Sequence, residues 1–416
     1  MTDLSRLIAA EQPLVLSSLA RGALPLVLSD LARACRGTGN AARAVFVAPD
    51  EQAMIAIADA APFFAPELEV IEFPAWDCLP YDRSSPALSV SARRLAALQA
   101  LQGKPDGPQL LVTTVNALLQ RVLTPFRIRE ATRMLKPGIE IGHESLTALL
   151  QRQGYARSDT AIDAGEFAVR GSIFDIVPSG LKTKNEAGET IQAGLRLDFF
   201  GDELESMRLY DPTTQRTTGV AEEHLLLPAS EALLTEDTIK RFRGRYREMF
   251  GANATGDPLY QAVSEGRRLA GMEHWLPLFE EKLSTLFDHL GKDDCVIIDG
   301  GAIRAGEERL AEIRDYRQAR QQAAGQKAGS YRPLATDALY LAEDEFSAAL
   351  TGWPVHRSSI FAEPESERSL DFGFASARDF APERSRSENV YEAASKHLEK
   401  QAKDGKRVVL ACYSPG

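Results

Sequence analysis

The sequence predicts an α/β protein: a parallel-sheet domain, an antiparallel α+β domain inserted into it, and a small, partial α/β domain after it. Three observations carry that expectation. Short apolar runs alternate with helical periodicity over residues 14–124. Period-2 alternation replaces that pattern between 125 and 215. A fully apolar run, "CVIIDGG" at 295–301, then returns. The 416 residues are too many for one hydrophobic core. The expected boundaries are 1–124, 125–215, 216–330 and, as linker plus truncated third domain, 331–416.

In the first stretch, "LVLSSL" (14–19), "AVFVAP" (44–49), "LEVIEF" (68–73) and "QLLVTTV" (109–115) are expected strands. "ALPLVLSDLARACRG" is a helix ending at Gly37, and Asp50 caps "EQAMIAIADAA". "SVSARRLAALQAL" places Leu95, Leu98 and Leu101 on one helical face, and Asn116 is the expected cap of "ALLQRVL". Strands alternating with helices at short intervals give a parallel sheet covered on both faces, the pattern of a helicase-like nucleotide-binding core.

Between 125 and 215, "GIEIGHESLTALLQRQGYARSD" supplies one strand and one helix. "EFAVRGSIFDIVPSG" and "LRLDFFGDELESMRLYD" supply antiparallel strands, and "LKTKNEAGETIQAG" between them is a surface loop. Further on, "TEDTIKRFRGRYREMFG" and "AIRAGEERLAEIRDYRQARQQAAG" are helices, and 295–301 is a strand placed to rejoin the first sheet. Residues 362–388 are irregular by composition. "VYEAASKHLEKQAKDGK" is a helix and "RVVLACYS" a strand with no helix after it, so the chain reads as a piece of something longer.

The net charge of −11 argues against a dedicated binder of phosphate backbones. Cys35, Cys78, Cys295 and Cys412 lack CxxC spacing and read as reduced thiols of a cytoplasmic protein. No run is long enough to span a membrane, and "MTDLSRLIAAEQP" lacks the apolar core of a signal peptide.

A parallel α/β core invites a search for phosphate chemistry, and the expected parts are missing. A P-loop needs glycines for close backbone approach, a lysine for the phosphates and a hydroxyl for Mg²⁺. That place holds Ser18-Leu19-Ala20-Arg21-Gly22-Ala23-Leu24-Pro25. The best acidic strand end, Ile297-Ile298-Asp299-Gly300-Gly301, has the metal-holding aspartate but no glutamate to position water, and Asp299 reads as a cap on the following turn. His274 has no second histidine at metal spacing and reads as a surface or packed residue. No catalytic residue, metal or cofactor is expected. Trp76, Pro80 and Tyr81 read as a turn packed on the sheet, and the basic runs 240–248 and 314–322 as solvated helix faces.

Several longer blocks carry a resemblance: "FPAWDCLPYDRSSPALSVSARRLAALQAL" (73–101), "LLVTTVNALLQRVLTP" (110–125), "GEFAVRGSIFDIVPSG" (165–180), "LRLDFFGDELESMRLYDPTTQRT" (195–217) and "GMEHWLPLF" (271–279). In this order they resemble the N-terminal, UvrB-like part of the bacterial transcription-repair coupling factors. The resemblance covers most of residues 40–300 and implies a helicase-like domain made of two chain segments, with degenerate ATPase motifs. UvrB carries an aromatic hairpin that probes DNA; here Arg83–Pro86 lead from Tyr81-Asp82 directly toward a helix and leave no room for one. The resemblance further implies that the inserted domain docks UvrA through Arg170, Arg196 and Phe200. It assigns RNA-polymerase binding and DNA translocation to domains beyond these residues. The rival readings are an active UvrB-like, ATP-dependent DNA-repair enzyme and a purely structural module.

The alternation supports the same face independently. Leu195, Leu197 and Phe199 face one way, and Arg196, Asp198 and Phe200 the other; Arg170 lies opposite Phe167 and Val169. Arginine and aromatics are the side chains that interface hot spots favour. Residues 125–215 hold 11 Lys and Arg against 14 Asp and Glu, a net of −3, which disfavours a phosphate ligand and favours a protein partner.

Overall fold

The computed structural model describes residues 4–37, 42–251, 255–324, 331–375 and 377–409. A seven-stranded parallel sheet forms its centre. Its first strands are β1 (Val15–Ser17), β2 (Ala44–Ala48), β3 (Glu69–Phe73) and β4 (Gln109–Thr114). Helices α1 (Leu24–Gly37), α2 (Glu51–Phe64) and α3 (Leu88–Ala100) connect them. Every residue of β2 and β4 is buried, as expected for apolar runs covered on both faces. The Asp50 side chain accepts from the Ala53 amide at 2.8 Å and caps α2. After β4 the expected cap is displaced. Thr114, rather than Asn116, caps a single helical turn, because its hydroxyl oxygen accepts from the Ala117 amide.

The inserted domain holds helix α4 (His143–Arg152) and a six-stranded sheet. Its strands are β5 (Ala156–Arg157), β6 (Glu166–Arg170), β7 (Ile173–Ile176), β8 (Gly194–Phe200), β9 (Glu203–Tyr210) and β10 (Thr217–Val220), in the spatial order β10-β9-β8-β7-β6-β5. The β5–β6 pair is parallel and the rest antiparallel. One sheet face packs Phe167, Phe174, Leu195, Leu197 and Phe199 against Leu146 and Leu150 of α4. The expected loop between β7 and β8 is instead a two-stranded ribbon, Lys182–Lys184 paired with Thr190–Gln192. The Asn185 side-chain oxygen accepts from the Ala187 and Glu189 amides and folds the turn.

The chain then supplies helix α5 (Glu236–Phe250) and strand β11 (Cys295–Asp299), which pairs with β2 as its apolar run predicts. Helix α6 spans Ala302–Ala324. The expected linker from 331 is corrected here. Residues 331–371 continue the first domain, and strands β12 (His356–Ser358) and β13 (Ser369–Asp371) flank β1 on its two sides. The sheet order is β13-β1-β12-β11-β2-β4-β3. These strands have three residues each, too short to show a period in sequence. Helix α7 (Val390–Lys403) follows and buries no residue. Arg407–Val409 are not in a strand, and the rest of the expected last strand lies outside the described residues.

The two basic runs are less solvated than expected. Arg241 and Arg245 of α5 donate to the carbonyls of Phe279 and Pro277, each at 2.7 Å, and so satisfy the end of the one-turn helix Leu276–Phe279. Arg317 of α6 donates to the Leu334 carbonyl, and Arg320 pairs with Asp82. The Trp76 and Tyr81 turn is buried as expected.

Candidate docking site

Strands β8 and β9 form a hairpin whose turn is Gly201-Asp202, since Phe200 pairs with Glu203. Gly201 takes φ +61°, a conformation that disfavours other side chains and suits a two-residue turn. The register shifts after Asp198: Asp198 faces Ser206 and Phe199 faces Leu204, so Glu205 is the extra residue of a bulge. The alternation of β8 survives. Phe199 is 5% exposed and meets Phe174 and His143 edge to face; Phe200 is 79% exposed.

On the Phe200 side of the sheet, Ala168, Asp175, Arg196 and Arg208 stand in one cross-strand row. Arg170, Ile173, Asp198 and Ser206 form the next row toward the hairpin turn. Phe200 lies two residues further on, about 7 Å along the strand. Asp175 ties the arginines together. Its buried carboxylate accepts from Arg196 Nε at 2.6 Å and Nη2 at 3.0 Å, and also from Arg170. The Arg196 guanidinium lies 4.8 Å over the Tyr210 ring, and Nη1 donates to the Gln215 carbonyl. Its bond to Asp175 raises its pKa and keeps it charged. Tyr210 in turn lies flat on Gly194, where any Cβ would stand 2.1 Å from the ring, so only glycine lets the platform form.

All three expected residues therefore share one sheet face, but they are held differently. The Arg196 side chain is 14% exposed and largely committed to Asp175, whereas that of Arg170 is 49% exposed with donors to spare. Phe200 is an uncommitted apolar surface. Arg208, paired with Asp198, adds a cation at the rim, and Val220 of β10 adds a second exposed apolar side chain. Asp175 and Tyr210 were not singled out in the sequence, although Asp175 carried a signal: a carboxylate between Phe174 and Ile176 in a strand interior needs a cation beside it. Among the described residues no cluster of His, Cys, Asp or Glu is arranged to hold a metal. The face has the chemistry that recognition uses: one planar cation over an aromatic ring, a second more exposed beside it, and an open phenylalanine next to them.

In the first domain, the backbone that would cradle a phosphate is engaged. The Ser18 amide donates to the Phe361 carbonyl at 2.8 Å and the Leu19 amide to the Ser359 carbonyl at 2.9 Å. Asp299 accepts from the Gly301 amide, the turn cap its sequence predicts. Of the two readings left open for His274, surface or packed, burial decides for the second; its ring meets Trp76 edge to face, and burial lowers its pKa to about 4.

The inserted domain is of a UvrB-related class: the UvrB interaction domain family matches residues 134–231, the inserted sheet and its flanks. The chain is 31% identical over 341 residues to the transcription-repair-coupling factor of Rickettsia prowazekii, covering 82% of this chain and 29% of that protein. It is 33% identical over 289 residues to that of Haemophilus influenzae, covering 69% and 24%. To that of Myxococcus xanthus it is 37% identical over 265 residues, covering 59% and 20%. The chain belongs to the transcription-repair-coupling-factor family and corresponds to the N-terminal part of its members, spanning less than a third of these relatives' length.

Proposed function

We propose that this chain is a recruitment module in transcription-coupled repair, whose inserted domain docks UvrA through Arg170, Arg196 and Phe200 and hydrolyses no ATP. The observation that carries the reading is Phe200: a strand phenylalanine, 79% exposed, beside two arginines organised by one buried carboxylate. Such a face has a protein-anchoring centre and a charged rim. The net −3 of the inserted segment speaks against DNA as its ligand. The absent lysine, and the Ser18 and Leu19 amides already bonded within the chain, support the lack of ATP turnover. Contacts with RNA polymerase and DNA are left to other parts of the family's proteins.

The test is co-purification of UvrA with the immobilised chain, repeated with Arg170→Ala and Phe200→Ala. UvrA is expected on the wild type and depleted on both variants. Equal retention on all three contradicts the reading. An ATPase assay with and without DNA is expected to stay at background; turnover revives the UvrB-like enzyme.

A further inference from the structure

The edge of the parallel sheet opposite β13 is β3, and no strand pairs with its outer side. The Glu69 amide donates to the Pro108 carbonyl beside β4, so Glu69, Ile71 and Phe73 turn their backbone groups toward β4. Val70 and Glu72 then point their N–H and C=O groups outward, where they have no hydrogen-bond partner among the described residues. Natural sheets usually blunt or cover such an edge. Here the edge lines a groove of 760 Å³ between β3, helix α3 and the inserted domain.

The walls contribute three further observations. Ala96 and Ala100 of α3 and Leu225 from the inserted side give an apolar lining. Gln99 Oε1 and His224 Nε2, on opposite walls, are buried without a hydrogen-bond partner. Burial lowers His224 to about pKa 4, so its ring is neutral at neutral pH. Glu69 on the strand and Lys182 across the groove have no ion-pair partner among the described residues.

We infer that this groove takes one extended peptide strand of a partner protein, which adds to the free edge of β3 and sets a basic side chain beside Glu69 and an acidic one beside Lys182. Peptide amides and carbonyls match the outward groups of Val70 and Glu72, the strand-addition mode of recognition. Gln99 and His224 gain partners from the same peptide. The inserted domain walls the edge, so a second folded copy cannot lay its own sheet edge there.

The probe is a linear peptide selected against the whole chain from a phage-displayed random library. Amide hydrogen exchange at Val70 and Glu72 is expected to be fast in the free chain and slowed by the peptide. Val70→Pro removes one outward donor without touching the ladder to β4, a substitution edge strands tolerate. It is expected to weaken the peptide by about tenfold or more while leaving the chain folded and UvrA binding unchanged. The inference is overturned if no linear peptide is selected, if protection falls away from β3, or if a folded Val70→Pro variant binds the peptide as the wild type does.

Discussion

Two carboxylates in this molecule are built from the same parts and serve different ends. Glu231, where the chain leaves the inserted domain, accepts from Arg94 Nε and Trp76 Nε1, each at 2.7 Å, and the Arg94 guanidinium lies 4.4 Å over the Phe73 ring. Asp175, in the middle of the inserted sheet, holds Arg196 over the Tyr210 ring and Arg170 at the edge. Both carboxylates are 1% exposed. The difference lies in the cations. The Arg94 side chain is fully buried, with Nη1 also donating to the Pro74 carbonyl, so its cluster is sealed. Arg196 and Arg170 reach progressively further into solvent. A sealed cluster can only pin helix α3 to the segment returning from the insertion. An open one can hold charges in place for a partner without exposing the carboxylate that orients them.

The largest effects belong to the buried groups on each side. Glu231→Ala strands a buried guanidinium and is expected to cost about 3–5 kcal/mol in denaturant unfolding. Phe199→Ala, which empties the aromatic core under the docking face, falls in the same range of about 3–5 kcal/mol. If Glu231→Ala proves as mild as a surface change, the contrast between the clusters collapses.

Arg196→Ala sharpens the comparison from the other side. It removes two charge-assisted bonds from Asp175 but leaves Arg170 in place, so about 2 kcal/mol of stability is expected to go. UvrA binding falls with it. Arg170→Ala is expected to weaken binding at a stability cost below about 1 kcal/mol, because an exposed pair contributes little.

Acid tests desolvated histidines of both regions without mutation. His274 packs on Trp76 within the sealed region, and its folded pKa of about 4 lies below the ordinary 6.5. The unfolded chain therefore binds the proton first, so stability present above pH 6.5 is lost as pH falls toward 4. His224 shifts the same way. Thermal melts are expected to fall between about pH 6.5 and pH 4, less steeply in His274→Gln. The smallest stability change is expected for Phe200→Ala, within about 0.5 kcal/mol, as for a surface side chain with no core contacts.

The strands of the first sheet were legible where apolar runs were long, as in β2, β4 and β11. The short strands β12 and β13 were not, because three residues show no period and their place depends on pairing with β1 from the far end of the sequence. The face carrying Arg170, Arg196 and Phe200 followed from alternation, which the bulge at Glu205 leaves undisturbed on β8. What alternation could not show is that Asp175 claims most of Arg196. That depends on register between β7 and β8, set by packing of the opposite face. The ribbon at 182–192 was missed because polar strands without a buried face look like loop.

The central claim is that Phe200 serves a partner while its neighbour Phe199 serves the fold. Calorimetric titration of UvrA into the wild-type chain and into Phe200→Ala, at matched melting temperature, tests it directly. Saturable binding is predicted for the wild type, with a loss of about 2 kcal/mol or more in the variant. Equal affinity for the two, or no binding by the wild type, would contradict it.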